Sequence, residues 1–151
     1  MRYGFYLPTR GETATPEALE ALLGRGEALG FSSVVIADHI VFPANPAAPL
    51  RPAELRLLLE ELYRLTEAEQ RDPSKLTISY KAPLYDSDQG VDGGNERRPF
   101  SGSPQAIADD IATFARLGVS ELIFDFRSES LRESLERMER FAPIIRQTVS
   151  A

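Results

Sequence analysis

Four largely apolar segments predict buried β-strands, and segments of helical periodicity separate them. The predicted strands cover residues 2–8, 33–41, 76–84 and 121–126. The first is apolar on both faces, as expected for a strand of a covered parallel sheet. A strict alternation of four strands and four helices predicts the α/β class, with a parallel sheet and right-handed crossovers.

The predicted helices have apolar stripes at 3.6-residue spacing and recognisable ends. Gly30 predicts a C-cap for the first helix, and Asp72-Pro73 predicts the stop of the second near Gln70. N-terminal signals are an N-cap residue, a proline in the first turn, or a capping box. The predicted starts are Thr15-Pro16, Pro52, Ser103-Pro104 and the capping box Ser130-Leu131-Arg132-Glu133.

Two connections differ from the short loops elsewhere. Residues 42–52 contain four prolines, which forbids a strand and favours an extended connector or a simple surface linker. Residues 86–102 form a long polar loop, and loops of this length in compact domains are usually functional or mobile. The whole of 1–151 is otherwise expected to be a single domain.

Composition narrows the classes of function. The 151 residues include no cysteine and one histidine, so neither a disulfide framework nor a clustered metal site within one chain is expected. The net charge of −6 disfavours nucleic acid and anionic membranes as partners. No apolar run is long enough to span a membrane. We therefore expect a soluble cytoplasmic protein without a metal.

Candidate chemistry concentrates at the predicted carboxyl ends of the strands, where parallel α/β folds bind ligands. Asp38 and His39 end the second strand. An imidazole can exchange a proton near neutral pH, and a neighbouring carboxylate tunes it. The alternative is an aspartate that caps the next loop beside a histidine packed between layers. On this basis His39 and Asp38 are the candidate catalytic residues.

Other polar residues are candidates for binding a cofactor. Arg10, Tyr80 and Arg127 lie at or near the ends of the first, third and fourth strands. Arg97 and Arg98, in the long loop, could clamp a phosphate or a carboxylate, although loop solubility explains them as well. The chain has no nucleophile elbow and no Gly-x-Gly-x-x-Gly after the first strand, which disfavours a dinucleotide-binding domain.

These residues resemble a known family, the luciferase-like monooxygenases, and most closely its branch that uses the deazaflavin coenzyme F-420. Residues 1–8 resemble the family's first strand, and residues 26–40 resemble its first helix end and second strand. Residues 100–108 and 117–123 resemble its penultimate helix and last strand. Together these segments cover most of the chain.

The resemblance implies a TIM-barrel type of fold that binds FMN or the deazaflavin at the C-terminal face of the barrel. It implies a flavin- or deazaflavin-dependent oxidoreductase that transfers hydride or activates oxygen, with an unknown small organic substrate. In the deazaflavin branch an Asp-His pair after the second strand lies near the reacting ring, and this pair maps onto Asp38-His39.

Length sets this chain apart from the family. A complete barrel takes about 250 residues, whereas four units correspond to barrel strands one, two, seven and eight. The middle half of the barrel is missing at the 42–52 connector, and part of the cofactor site with it. The alternative function is therefore a non-catalytic half-barrel module, for binding or interaction, that has lost the cofactor site.

The retained strands predict a half TIM barrel with the neighbourhood 3-4-1-2, and three ways to complete it. An open sheet would expose Val35, Ile78 and Ile123 or their neighbours on its inner face. A homodimer could close eight strands, the first strand of one chain pairing with the fourth of the other. The leucine-rich helix 52–70 could instead cover the inner face of a monomer. The homodimer is the first expectation.

Overall fold

The computed structural model describes residues 1–9, 11, 13–36, 50–84 and 97–149. Within them, strands and helices alternate as the periodicity predicts, so the α/β class is confirmed. The elements are β1 (Arg2–Tyr6), α1 (Pro16–Leu29), β2 (Ser33–Val35), α2 (Pro52–Ala68), a 3-10 turn (Pro73–Lys75), β3 (Ile78–Leu84), α3 (Pro104–Arg116), β4 (Val119–Asp125) and α4 (Leu131–Val149).

The described strands form one parallel sheet in the order β2-β1-β4-β3. This is the predicted neighbourhood 3-4-1-2. Phe5 pairs with Val34 of β2 on one side and with Phe124 of β4 on the other. The expectation that β1 pairs with β4 of a second chain is therefore wrong, because these strands pair within one chain. The strands at the two edges of the sheet are β2 and β3.

The core lies between one face of the sheet and the helices α1, α3 and α4. Alternate strand residues point into it because successive side chains of a strand face opposite ways. Phe124 and Phe141 have ring centroids 4.3 Å apart, which joins β4 to α4. The largest fully buried side chains are Tyr3, Ile107, Ile111, Phe114, Leu122, Phe124, Met138, Phe141 and Ile144.

The second face of the sheet, opposite the helices, is more polar than expected. Ile78, predicted to be exposed there, packs against the helix-side core instead. Val35 and Ile123 are half-buried. The prediction of a large apolar patch is therefore wrong for the described residues, because serine, lysine and glutamate side chains interrupt this face. The second face carries Arg2, Gly4, Tyr6, Ser33, Val35, Ser79, Lys81, Glu121, Ile123 and Asp125.

Helix α2 does not cover this second face, which overturns the third way of completing the fold. Leu55 and Leu59 join the same buried core as α3 and α4. Leu59 and Tyr63 share a groove with Leu117 at the end of α3. The helix therefore lies beside α3, on the side of the edge of β3 that pairs with no described strand.

Several element ends differ from the predictions by a few residues. Helix α2 ends at Ala68, two residues early, and Gln70 has a positive φ of 56° in the turn that follows. Strand β4 begins at Val119 because Gly118, with φ of 97°, makes the turn from α3 directly into the strand. The predicted connector 42–52 lies outside the described residues except for its last three.

Candidate functional site

Three neighbouring strands bring charged and aromatic side chains together at the carboxyl edge of the sheet. Lys81 Nζ lies 4.4 Å from the centroid of the Tyr6 ring, and the guanidinium carbon of Arg127 lies 4.7 Å from the same centroid. Both distances are within the range of cation–π attraction. With Asp125, these residues form what we call the carboxyl-edge cluster.

Asp125 holds the Arg127 guanidinium in place. Arg127 Nε donates to Asp125 Oδ1 at 2.9 Å, and Nη2 donates to Oδ2 at 2.6 Å. The backbone N–H of Arg127 also donates to Oδ1, at 3.1 Å. The Asp125 side chain is only 5% exposed, whereas that of Arg127 is 43% exposed. Hydrogen bonding to Asp125 raises the pKa of Arg127, so the guanidinium stays charged.

The sequence builds this cluster through the two-residue period of its strands. Ile78, Tyr80 and Ala82 share the core-facing phase of β3, so Ser79 and Lys81 take the other phase. The Tyr6 side chain is buried on the second face, opposite to Phe5. The predicted cofactor-binding residues included Tyr80 and Arg127 but not Tyr6, Lys81 or Asp125, although the sequence also places Lys81 and Asp125 towards the carboxyl ends of their strands. The alternation of side chains along β3 was the sequence signal that places Lys81 and Tyr80 on opposite faces of the sheet.

The candidate catalytic pair cannot be compared with this cluster. Asp38 and His39 lie outside the described residues, and so does the candidate cofactor ligand Arg10. Their proposed roles stay predictions. Of the remaining candidates, Arg127 alone belongs to the carboxyl-edge cluster.

Tyr80 lies on the helix-covered face of β3, away from the cluster. Its ring centroid is 4.7 Å from that of Phe114 and 6.0 Å from that of Phe100. Its hydroxyl donates to the Leu50 carbonyl oxygen at 3.1 Å, and burial raises the pKa of this hydroxyl. Tyr80 therefore joins β3 to the segment that leads into α2.

Arg97 is held by Asp110, in the middle of α3. Its Nη1 and Nη2 both lie 2.7 Å from the Asp110 carboxylate, and Nη1 also donates to the Ser101 carbonyl oxygen. The Phe100 backbone N–H donates to the same carboxylate at 2.6 Å. Hydrogen bonding to Asp110 raises the pKa of Arg97. Arg97 thus closes the 97–101 turn, and Arg98 supplies this turn with a carbonyl acceptor for Arg97 and Ser101.

A groove of about 560 Å³ extends from the cluster along the β4–α4 connection. Two arginines, two glutamates and a serine line it: Arg127, Ser128, Glu129, Glu133 and Arg137. Arg137 Nη1 donates to the Arg127 carbonyl oxygen at 2.7 Å, and the Ser128 backbone N–H donates to the Ser134 hydroxyl at 3.2 Å. These bonds hold the loop behind Arg127 in one conformation, which preorganises the cationic side chain.

A separate polar network lies at the amino edge of the second face. The hydroxyls of Ser33 and Ser79 donate to the two oxygens of Glu121, at 2.8 Å and 2.7 Å. These bonds, with that of Ser79 the larger influence, lower the pKa of Glu121. Glu121 therefore links three strands as a carboxylate, at the edge of a parallel sheet that usually serves stability rather than chemistry.

The carboxyl-edge cluster offers two cations against one carboxylate in a chain whose net charge is −6. Such a local excess of positive charge suits an anionic group. Among the residues described, no group of three or more histidine or acidic side chains is placed to hold a metal ion. None of the helices described has the length and apolarity needed to cross a membrane.

Fold and cluster together define an α/β protein with an all-parallel sheet of four described strands and a cationic, aromatic site at its carboxyl edge. Comparison with protein-family models, with curated proteins and with solved structures finds no match to this chain. Its function therefore has to be argued from its own residues.

Proposed function

We propose that this chain is a half barrel of the luciferase-like type and works as a flavin- or deazaflavin-dependent oxidoreductase. Its sheet order, β2-β1-β4-β3, is the order that barrel strands two, one, eight and seven would have. A half barrel of this kind places its ligand at the carboxyl ends of its strands. The observation that carries the proposal is the convergence of Lys81 and Arg127 on Tyr6 at that edge.

The residues present fit the anionic part of such a cofactor. FMN and the deazaflavin both combine a planar ring system with a phosphate. Lys81 is exposed in the middle of β3 and its ammonium lies over the Tyr6 ring, so that ammonium can bind a phosphate oxygen directly. Arg127 donates to Asp125 through Nε and Nη2, so its Nη1 can donate to an acceptor on the cofactor. When bound, the cofactor would supply hydride transfer or oxygen activation.

The roles of the other proposed residues follow from their chemistry. His39 would donate or accept the proton that accompanies the reaction, because its imidazole titrates near neutral pH. Asp38 would orient that imidazole or contact the ring. The substrate is a small organic molecule whose class the described residues do not define.

The test is a fluorescence titration of the purified protein with FMN and with the deazaflavin. We expect dissociation constants in the micromolar range, weakened on the order of tenfold by Lys81→Ala and restored by Lys81→Arg, because the lost contact is one charge-assisted bond. Lys75→Ala, which removes an exposed lysine at the amino end of β3, should leave both constants unchanged. His39→Ala should weaken binding or abolish turnover.

Failure of both cofactors to bind at concentrations up to about millimolar would overturn the proposal, since cellular cofactor sites bind far more tightly. Binding that Lys81→Ala and Lys75→Ala weaken equally would also overturn the assigned site, because it would then follow net charge alone.

A second candidate function is a non-catalytic half-barrel interaction module. The exposed leucines of α2 favour it, since apolar side chains grouped at a surface mark a contact with a partner. A protein that associates through α2 and binds neither cofactor would support this second function over the first.

A further inference from the structure

Apolar side chains are exposed at both edges of the sheet. Helix α2 has an apolar arc wider than its own fold covers: Leu55 and Leu59 are buried, whereas Leu58, Leu62 and Leu65 are 55%, 39% and 48% exposed. These three are spaced i, i+4 and i+7, so they form one continuous line on the helix surface. We call them the α2 stripe.

The opposite edge carries a groove of mixed polarity between α1 and β2. Its volume is about 350 Å³, and its apolar lining includes Leu23 and Val34 at the rim and the buried rings of Phe5 and Phe31. Its polar lining is supplied by Glu27, Ser32 and Ser33. Ile36, just beyond β2, is 61% exposed. We call this the α1–β2 groove. A protruding stripe and a receiving groove thus lie at opposite edges of one sheet.

We propose that a second copy of this chain is the partner, and that each copy inserts its α2 stripe into the α1–β2 groove of the other. The edge of β3 that is unpaired among the described strands would then lie beside the corresponding edge of β2 of the second copy, and all strands would stay parallel. Because each chain has one of each edge, two copies close a ring of eight strands. This inference rests on the half-barrel part of the proposed function and does not need the cofactor.

The area involved favours a closed pair. If burying a leucine side chain removes about 60–120 Å² of apolar surface, a half-exposed stripe and its groove give roughly 200–400 Å² per contact. Closure makes the contact twice, and at the usual apolar share the total is roughly 700–1,400 Å². That reaches the lower end of the range for specific interfaces, whereas a single contact does not. We therefore expect a dimer that dissociates in the micromolar range.

Closure also removes both sheet edges. A free strand edge presents unpaired backbone N–H and C=O groups that promote unwanted association. A closed barrel of eight strands has no edge, and its interior is just wide enough for side chains to fill. The mostly polar and small side chains of the second face would lie in that interior, with the carboxyl-edge clusters of both copies at one end.

Analytical ultracentrifugation between about 1 and 200 µM tests the proposal. We expect dimers for the wild type, with a dissociation constant raised at least about 100-fold by the double variant Leu58→Glu, Leu65→Glu, because each contact would bury carboxylates. Leu23→Glu should act in the same way from the groove side. The matched control is Leu57→Glu: Leu57 is 66% exposed on the same helix but lies about 100° from Leu58, and this variant should remain dimeric.

A mixture of the two defective variants separates stripe-into-groove contact from stripe-to-stripe contact. The Leu23→Glu chain keeps an intact stripe, and the double variant keeps an intact groove, so a mixed pair has one intact contact whereas each variant alone has none. The mixture should therefore associate more than either variant alone and more weakly than the wild type. Circular dichroism of each variant establishes that it is folded. A Leu23→Glu protein that dimerises like the wild type would overturn the proposed contact.

Three other results would overturn the closed pair. They are a wild type that is monomeric at 200 µM, a mass that grows beyond two chains with concentration, and a Leu57→Glu variant as defective as the double variant. Failure here is distinguishable from failure of the proposed function, because mass and cofactor titration are independent. A protein that dimerises but binds no cofactor would support the closed pair and contradict the proposed function. A protein that binds a cofactor but stays monomeric would support the proposed function and contradict the closed pair.

Discussion

The guanidinium carbon of Arg127 lies 4.7 Å from the centroid of the Tyr6 ring. Asp125 anchors that guanidinium from the same strand end, through two nitrogens and a 5% exposed carboxylate. A cation held between a buried carboxylate and a ring is fixed in direction, which is what an anion-binding side chain needs. The pair thus joins the end of β1 to the end of β4.

The buried carboxylate of Asp125 should destabilise the fold when Arg127 is removed. We expect Arg127→Met to lower the free energy of unfolding by about 1–3 kcal/mol, because it leaves a buried carboxylate without its cation. The value is below that of a fully buried pair, since the arginine is 43% exposed. Urea denaturation followed by circular dichroism measures it.

A double-mutant cycle provides the control for this pair. Asp125→Asn removes the charge, so Arg127→Met should cost less in the Asp125→Asn background than in the wild type. Equal costs in the two backgrounds would show that the ion pair does not determine the stability of this strand end.

Two glycines of α1 should respond oppositely to alanine. A Cβ at Gly26 would lie 2.5 Å and 2.8 Å from Phe5 ring atoms and 3.2 Å from Met138 Cε. We expect Gly26→Ala to destabilise the fold by about 1–2 kcal/mol, because the overlap outweighs the gain in helix propensity. Gly24, with nothing within 4 Å of its added Cβ, is the control.

The control variant Gly24→Ala should stabilise the protein by about 0.5–1 kcal/mol, since alanine is the better helix former and restricts the unfolded chain. Thermal and urea unfolding of the two variants against the wild type measure both signs. A Gly26→Ala protein as stable as Gly24→Ala would contradict the close packing of α1 on β1.

Two bidentate arginine–carboxylate pairs allow a matched test of burial. Arg97 and Asp110 are 35% and 16% exposed, whereas Arg64 and Glu61 are 64% and 53% exposed. We expect Arg97→Ala to cost about 1–3 kcal/mol, because Arg97 also holds the carbonyl of the 97–101 turn. Arg64→Ala should cost much less than Arg97→Ala, because both partners of its ion pair are exposed to solvent. Unfolding in urea at low and high salt compares them.

The dependence of the two variants' stabilities on salt concentration tests whether burial separates the two ion pairs. The Arg64 pair should weaken as salt increases, and the Arg97 pair should change less, because its carboxylate is more shielded from solvent. Equal losses in stability for the two variants would mean that Arg97 does not organise the turn.

Acid should weaken the contribution of Glu121 to stability. Its pKa in the folded protein lies below the unfolded value of about 4.3, so folding favours the carboxylate. That contribution is complete above the unfolded pKa and is lost as the pH falls through the folded pKa. The difference in unfolding free energy between wild type and Glu121→Gln should thus be about 1 kcal/mol at pH 7 and shrink below about pH 4.

Ser79→Ala is the companion variant for this titration. It removes one of the two hydroxyl donors to Glu121, so the difference from the wild type should fall in the same pH range with a smaller amplitude. A difference between wild type and Glu121→Gln that stays constant from pH 7 to pH 3 would contradict the lowered pKa.

Periodicity and capping signals predicted the local elements well. Thr15 and Ser103 cap α1 and α3 through their side chains, and Gly30 ends α1 with a left-handed φ of 95°. Such features depend on residues within one turn, so they can be read from neighbouring positions. The same applies to the alternation of strands and helices, from which the parallel sheet followed.

The candidate site was predicted in part. The carboxyl edge as its location and Arg127 as a member follow from the sequence. Tyr6 joins the cluster only through contacts between β1, β3 and β4, whereas Asp125 is bonded to Arg127, two residues further along the chain. Tyr80 and Lys81 are neighbours in sequence, yet they point to opposite faces. Which of the two side chains is buried in the core depends on which face of β3 the helices cover.

The sequence by itself determined the class of fold and the alternation of the described strands and helices, because apolar periodicity and helix ends are local properties. The strand neighbourhood was predicted instead from the resemblance to a barrel family, because strand order depends on contacts between distant segments. Tertiary structure alone decided which apolar surfaces are covered. Leu55 and Leu58 belong to one apolar arc of α2 in the sequence, but the fold buries the first and leaves the second exposed. The reason is physical: burial depends on which distant elements pack beside a residue, and periodicity records only that a side chain is apolar.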